Sequence, residues 1–148
     1  MSLHHIWHGG SDLKRSLGVL AAAAGLAGTV AALILPWMYH GGVSFSLYDL
    51  PRWGQYLAGA VAVHALTGVA VVVGNHRVRR VVMVAGLTAA AITLVAALAV
   101  MVRGDEAITG PVLPPIAPEL GIGGPVAIAA VLVSAAALVA LLLPRPER

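Results

Sequence analysis

One histidine in the middle of an apolar stretch is the residue of the chain best suited to take part in chemistry. His64 lies ten residues after Gly54 and has no charged neighbour before the basic cluster Arg77–Arg80. An imidazole can bind haem, pass on a proton or hydrogen-bond a ligand. Because a charged imidazolium is costly in hydrocarbon, we expect His64 to be neutral and to need a hydrogen-bond partner. The residues that could join it in a candidate intramembrane polar site are Thr29, Thr67, Thr93 and Ser134.

The surroundings of His64 favour a structural role over catalysis. A proton pathway would need further ionisable groups in the apolar segments, and the sequence has none there. Bis-histidine haem would need a second histidine at the same depth, but His40 and His76 fall at opposite ends of the apolar runs. We therefore predict that His64 connects helices through a hydrogen bond. Contact with a ligand is the alternative.

Other residues with metal-binding or acid–base potential lack the spacing that such sites need. His4, His8 and Asp12 would share one face of a helix and could ligate zinc or nickel, but Gly9 and Gly10 interrupt that helix. The chain has no cysteine, and no nucleotide-binding or hydrolase motif occurs in it. The acidic residues of the second outer loop are typical of solvated charges: Asp105, Glu106 and Glu119. The sequence predicts no catalytic residue, no metal site and no cofactor.

The composition requires that most of the surface face something other than water. Of the 148 residues, 59% are hydrophobic and 10% are charged, whereas a soluble domain carries about 25% charged residues. Four apolar runs without Lys, Arg, Asp or Glu reach the roughly 20 residues that span a bilayer. Since only helices satisfy their own backbone groups in hydrocarbon, we predict one membrane domain over 1–148. Its transmembrane helices lie at about 17–38, 55–74, 81–102 and 124–143.

The basic residues predict the orientation of these helices. Seven of the nine fall on one side of the predicted membrane, and the positive-inside rule makes that side cytoplasmic. The outer loops, at about 39–54 and 103–123, carry only Arg52 and Arg103. Both termini and the loop at 75–80 are therefore predicted to be cytoplasmic. The seven residues are Lys14, Arg15, Arg77, Arg79, Arg80, Arg145 and Arg148.

Each apolar run carries a stripe of small or weakly polar residues at helical spacing. Such stripes let membrane helices approach one another closely. The predicted fold is therefore all-α, an antiparallel bundle of four transmembrane helices with the stripes facing inward. The stripes are Gly18, Ala22, Gly25 and Thr29; Tyr56, Ala60, His64, Thr67 and Gly68; Gly86, Ala90, Thr93 and Ala97; and Ala127, Ala130, Ser134 and Ala137.

The first outer loop contains most of the aromatic residues. Six of the seven in the chain lie between Trp37 and Tyr56. Those at the span ends suit an aromatic belt at the level of the lipid headgroups. Phe45 and Tyr48 lie in mid-loop and could fold onto the bundle as a lid or form an apolar patch for a partner subunit or lipid. The candidate partner-facing residues are Trp37, Tyr39, Phe45, Tyr48 and Trp53.

Two short motifs and the order of the spans resemble a known family. The first span ends in Leu35-Pro36-Trp37, and Gly124-Pro125 opens the Ala-rich last span. With a basic turn between two outer loops, this layout resembles the small four-span membrane proteins of actinobacteria, including the type associated with tryptophan biosynthesis. The resemblance implies the four-span topology and a bacterial origin. It implies no catalytic residue, because that family has no firmly assigned activity.

These features predict a non-catalytic integral protein of the bacterial inner membrane. We expect an accessory or assembly subunit that recognises another membrane protein, or a second copy of itself, through the outer aromatic loop and the helix faces. Nucleic acid is not an expected partner, because the basic residues form no patch. One alternative is an oligomeric transporter or channel for a small, weakly polar solute. Another is a haem- or quinone-binding membrane protein.

Overall fold

Four long helices form the computed structural model of the chain, which describes residues 9–104 and 117–142, with side chains from residue 16 onward. The helices are α1 (Gly9–Ile34), α2 (Trp53–Val72), α3 (His76–Val102) and α4 (Gly123–Leu142). All four are long and apolar enough to cross a membrane, α1 through its segment Ser16–Ile34. The prediction of four helical segments with the length and composition of membrane spans is confirmed.

The first helix ends earlier than the sequence predicted. The predicted span ran to residue 38, but α1 ends at Ile34. Pro36 explains the difference, because proline has no backbone N–H and disfavours helical geometry in the residue before it. The chain then enters a short strand, β1, at Met38–His40. The prediction was therefore wrong for residues 35–38.

The third helix begins earlier than predicted, at His76 rather than near residue 81. Asn75 is its N-cap, and the side chain of Asn75 accepts hydrogen bonds from the backbone N–H groups of Arg77 (3.0 Å) and Val78 (3.4 Å). These bonds satisfy donors that a helix start otherwise leaves unpaired. Most of the predicted loop at 75–80 is therefore helix, and residues 73–75 alone connect α2 to α3.

A small sheet covers one end of the bundle. The hairpin of β1 and β2 (Val43–Phe45) turns through Gly41 and Gly42, whose φ angles of 57° and 84° favour glycine. The strand β3 (Glu119–Leu120) pairs with the other edge of β1. A 3-10 turn at Leu47–Asp49 follows β2. We call these three strands and this turn the β-cap. The sequence analysis did not predict the strands.

The helices pack as an antiparallel bundle. Glycines that face α4 mark the direction of α1, since Gly18 lies against Leu141 and Gly28 lies against Ala130. The contacts of α1 with α4 and of α2 with α3 are the most extensive, and α3 also packs on α4. The contact between α1 and α2 is much smaller. The bundle is thus closely packed on three sides and loosely packed between α1 and α2.

Small residues form most of the inward-facing stripes, and many large apolar side chains point outward. Every predicted stripe residue is buried or partly buried except Gly68, which is exposed. The inward-facing stripes are therefore confirmed apart from that glycine. Ile34 and Val72 are 80% and 79% exposed, in keeping with a surface that is solvated by lipid rather than by water.

Candidate functional site

A hydrogen bond between side chains joins His64 of α2 to Thr29 of α1. Nε2 of His64 lies 2.8 Å from Oγ1 of Thr29. His64 is partly buried and Thr29 is 5% exposed. At about 1.5 Å rise per residue, His64 lies about 16 Å along α2 from Trp53, close to the middle of a bilayer-spanning helix. The predicted hydrogen bond from His64 to another helix is present.

The other three members of the predicted polar site do not join this pair. Their hydroxyls donate to carbonyls one turn back on their own helices, Thr67 to Val63 (2.7 Å) and Thr93 to Ala89 (2.7 Å). Ser134 likewise donates to the carbonyl four residues before it (3.1 Å). The single proton of each of these hydroxyls is thus used within its own helix, so each oxygen can take part in a further contact only as an acceptor.

Two of these hydroxyl side chains instead mark close helix contacts. A Cβ atom at Gly25 of α1 would collide with Oγ of Ser134 on α4. A Cβ atom at Gly59 of α2 would collide with Oγ1 of Thr93 on α3. The small stripes therefore bring α1 to α4 and α2 to α3, as small residues do in membrane bundles.

No such contact closes the space between α1 and α2, where a groove of about 350 Å³ remains. The walls are apolar, with Leu26, Val30 and Leu33 from α1 and Leu57 and Val61 from α2 among the lining residues. The polar residues in the lining are His64 and Thr29. We call this space the α1–α2 groove.

The hydrogen bond to Thr29 leaves one nitrogen of the imidazole without a partner. Nε2 is engaged, while Nδ1 of His64 makes no hydrogen bond to any residue in 16–104 or 117–142. If Thr29 donates to Nε2, the proton of the neutral ring is on Nδ1, which is then a donor. If Nε2 donates to Thr29, Nδ1 is an acceptor. The tautomer of His64 therefore depends on which of the two groups donates in this hydrogen bond.

Tyr56 is a buried polar residue whose role the sequence did not indicate beyond its place in the stripe. Its side chain is fully buried, and its hydroxyl is enclosed without a well-formed hydrogen bond among the described residues. Thr29 is the polar side chain that this hydroxyl approaches. The ring contacts Trp37 edge to face, with centroids 5.3 Å apart. Thr29 thus lies between the imidazole and the phenol.

Trp37 corrects one prediction about the aromatic loop. It is 1% exposed, so its ring faces neither lipid headgroups nor a partner. Its indole N–H donates to the carbonyl of Ala32 (2.7 Å). A Cβ atom at Gly123 would collide with the indole, and the N–H of Gly123 donates to the carbonyl of Pro36 (2.8 Å). The Leu-Pro-Trp segment and the start of α4 therefore pack against each other. We call this contact the Trp37 junction.

The remaining aromatic residues of the loop divide between the core and the surface. Phe45 is partly buried and packs against the hydrophobic core, which matches the lid alternative for this residue. Tyr48 and Trp53 are 50% and 37% exposed, and their rings lie edge to face with centroids 5.2 Å apart. We call Tyr48 and Trp53 the aromatic pair. Tyr39 is also exposed (39%).

The 3-10 turn that carries Tyr48 is closed by Asp49. Oδ2 of Asp49 accepts hydrogen bonds from the hydroxyl (2.7 Å) and the backbone N–H (2.8 Å) of Ser46. The hydroxyl of Ser46, followed by its backbone N–H, lowers the pKa of Asp49, because both bonds favour the ionised carboxylate. The aromatic pair therefore projects from an ordered turn.

Most of the residues considered as metal ligands or acid–base groups cannot be placed. His4, His8, Asp105 and Glu106 lie outside the described residues, as does the side chain of Asp12. In the part of the chain that the structure describes, no three His, Cys, Asp or Glu residues gather as metal ligands would. The glycines expected to interrupt a first helix instead begin α1.

Comparison with known proteins finds no relative from which a function could be transferred. No protein family, no characterised protein and no solved structure matches the chain. The function must therefore be argued from the β-cap, the Trp37 junction and the α1–α2 groove.

Proposed function

We propose that the chain is a non-catalytic, multi-pass protein of the bacterial inner membrane that acts as an accessory subunit. It binds another membrane protein, or a second copy of itself, through the β-cap. The observation that carries this proposal is the aromatic pair, in which Tyr48 and Trp53 are exposed side by side at one end of the bundle. Tyrosine and tryptophan supply a large share of the binding energy at protein interfaces.

The attachment of the β-cap supports its use as a binding surface. The central strand β1 is paired on both edges, because Met38 pairs with Phe45 of β2 on one side and with Leu120 of β3 on the other. These pairings hold the β-cap in place. Asp49 closes the turn that carries Tyr48 by accepting hydrogen bonds from Ser46. A surface that is already ordered loses less conformational entropy when a partner binds.

Charge distribution supports the orientation in which the β-cap is extracytoplasmic. Arg77, Arg79 and Arg80 lie in the first turns of α3, at the end of the bundle opposite the β-cap. Arg52 and Arg103 flank the β-cap end. In the sequence, Lys14 and Arg15 come early in α1, and Arg145 and Arg148 follow the end of α4. Together with the three arginines of α3, they make this side cytoplasmic by the positive-inside rule.

Transport through a single chain has less support. A solute pathway would need space along the bundle axis, but the core there includes Val63, Val100 and Val131, each at most 1% exposed. A transporter would therefore need a pathway between copies of the chain.

Site-specific photo-crosslinking tests the proposed interface. A photoreactive amino acid at position 48 should give a discrete crosslinked product in native membranes, whereas one at Val95 should give none. Val95 is a suitable control because it is a large exposed residue (67%) in the middle of α3, away from the β-cap. The mass of the product separates a second copy from another protein. Equal labelling from both positions, or recovery of an uncrosslinked monomer alone, would contradict the proposal.

Reporter fusions test the orientation independently. A reporter that is active only in the cytoplasm should be active when inserted at Gly74 and inactive when inserted at Gly42. The opposite pattern would place the β-cap in the cytoplasm and would remove the proposed extracytoplasmic interface.

A further inference from the structure

The α1–α2 groove is an apolar cavity that opens sideways from the bundle. Its volume is about 350 Å³, and the residues that line it contribute almost no polar surface. Leu26, Val30 and Val61 line the groove and are also 50–61% exposed, so they form its rim on the outer surface of the bundle. Water is a poor occupant, because a buried water molecule needs two to four polar partners. In a membrane the groove is therefore open to the hydrocarbon.

The groove lies in the half of the bundle that is nearer the β-cap. On α2 its lining begins at Leu57 and ends at Ala65, which are about 6 Å and about 18 Å along the helix from Trp53. On α1 the lining from Leu33 to Leu26 covers a similar length, about 11 Å. The hydrocarbon core of a bilayer is about 30 Å thick. The groove therefore extends from near the membrane surface to about the midplane, which is the depth of the acyl chains of one leaflet.

We propose that the α1–α2 groove holds one acyl chain of an anionic phospholipid from the leaflet on the β-cap side, with the phosphate group near Arg52. The cavity is at the small end of the range for ligand sites, which suits one chain rather than a whole lipid. Ala60 is one of the lining residues and is fully buried, so a methyl group forms part of the floor. An acyl chain supplies the apolar contacts that α1 and α2 do not make with each other.

Arg52 supplies a charge complementary to the phosphate group. It is the N-cap residue of α2, and it lies five residues before Leu57, about 8 Å nearer the membrane surface than the beginning of the groove. Arg52 is exposed and forms no ion pair with any residue in 16–104 or 117–142. Its guanidinium group is therefore free to bind an anionic headgroup while the acyl chain below it occupies the groove. This inference is independent of the partner proposed for the β-cap, because the groove lies along the helices.

Native mass spectrometry of the protein released from nanodiscs tests the proposal. From nanodiscs of dioleoylphosphatidylglycerol, we expect one phospholipid per chain to stay bound at collision energies that remove the others. From an equal mixture with dioleoylphosphatidylcholine, the retained lipid should be phosphatidylglycerol in about fivefold excess, the effect of one basic residue near the membrane surface. Arg52→Asn should remove this excess while one lipid is still retained. Asparagine is suitable because it tolerates the φ angle of 65° at this position.

A matched pair of lipid-facing variants tests the position of the acyl chain. Val61→Phe fills the groove from its rim, while Val95→Phe makes the same change on the outer surface of α3. The two valines are similarly exposed, at 61% and 67%, so neither substitution disturbs the core of the bundle. Val61→Phe should abolish retention of the lipid and Val95→Phe should not affect it. Far-ultraviolet circular dichroism of both variants checks that the helices are intact.

Three results would overturn the proposal. The first is loss of all lipids from the unaltered protein at the same collision energy, which would make the lipid in the groove no different from the surrounding bilayer. The second is equal retention by the two phenylalanine variants, or equal retention of the two phospholipids by the unaltered protein. The third is a dimer that Val61→Phe alone converts to a monomer, which would make the groove an interface between two copies of the chain.

Discussion

Replacing Trp37 with phenylalanine tests how the helix end at the β-cap is stabilised. In a continuous helix, the carbonyl of Ala32 would accept the N–H of residue 36, but residue 36 is proline and has none. The indole N–H of Trp37 occupies that position instead, at 2.7 Å from the carbonyl oxygen. Trp37→Phe removes this donor and keeps an aromatic ring against Gly123. The carbonyl of Ala32 is then left without a partner in a buried environment.

The expected loss of stability follows from that single unpaired group. A buried unsatisfied carbonyl costs about 1–3 kcal/mol in soluble proteins. Side-chain hydrogen bonds in a membrane protein average about 0.6 kcal/mol with a maximum near 1.7. Since Trp37 is 1% exposed, water cannot easily replace the indole. We therefore expect Trp37→Phe to lower the free energy of unfolding by about 1–2 kcal/mol. Trp37→Ala, which also leaves a cavity, should cost about 3–5 kcal/mol.

Reversible unfolding by SDS in mixed micelles, followed by far-ultraviolet circular dichroism, measures this difference. Trp53→Phe is the matched control, because the Trp53 indole makes no hydrogen bond to a described residue and its ring contact with Tyr48 survives the change. A second test adds Pro36→Ala, which supplies an N–H for the carbonyl of Ala32. In that background Trp37→Phe should cost less. Equal stability of the Trp37→Phe and Trp53→Phe variants would refute the reasoning.

Three further changes probe the helix contact, the helix start and the β-cap. Gly25→Val should lower the free energy of unfolding by about 1–3 kcal/mol, because the added Cβ collides with α4. Gly68→Val is the control and should change the free energy of unfolding little, because the space around Gly68 is open. Asn75→Ala should cost about 1 kcal/mol through loss of the N-cap of α3, measured by the same SDS titration. Protonation of Asp49 should loosen the turn at Ser46, because the hydrogen bonds from Ser46 lower the pKa of Asp49 in the folded chain. The contribution of Asp49 to the stability of the turn is complete above the ordinary pKa of about 3.9. It is lost as the pH falls through the lowered pKa. The protection of the Ser46 amide from hydrogen exchange, relative to its intrinsic rate at each pH, should fall over that range in the unaltered protein and should be low at all pH values in Asp49→Ala.

The sequence predicted the bundle because two simple patterns agree in each helix. Long runs without charged residues require helices if they lie in hydrocarbon. Within the runs, small residues recur at helical spacing, and residues such as Gly25, Ala90 and Ser134 are buried in the structure. Gly68 departs from this pattern because α2 turns that face toward the surface, where nothing lies within 4 Å of an added Cβ. Helical spacing alone does not show at which residue a stripe stops facing a neighbouring helix.

The ends of the helices were harder to predict, because tertiary contacts determine them. Hydropathy continued through Leu35 to Met38, although Pro36 already indicated that the helix had to stop. The basic residues after Asn75 resembled a loop, but an asparagine before a helical pattern is also a common N-cap. The strands β1 and β3 are short, and they pair although 79 residues lie between Tyr39 and Glu119 and 81 lie between Met38 and Leu120. No local pattern in a two-residue strand such as β3 could have predicted that pairing.

The Trp37 junction gives a physical reason for the only motif-like segments of the chain. Pro36 ends α1 and leaves a carbonyl unpaired, and the next residue returns an indole donor to it. The absence of a side chain at Gly123 makes room for that indole, and Pro125 follows within the first turn of α4. Proline is favoured there because the first N–H groups of a helix have no partner within it. The first motif therefore contacts Gly123, the residue just before the second motif, whereas Gly124 itself lies against Met101 of α3.

The packing of the bundle is uneven because its helix pairs are joined in two different ways. In lipid, helices associate through close packing of small residues, which operates between α1 and α4 at Gly25 and between α2 and α3 at Gly59. The interface of α1 with α2 has no equivalent glycine contact and has instead the hydrogen bond from Thr29 to His64. A hydrogen bond joins two helices at one point and leaves space above and below it, whereas packed small residues exclude that space. The α1–α2 groove therefore follows from how these two helices are joined.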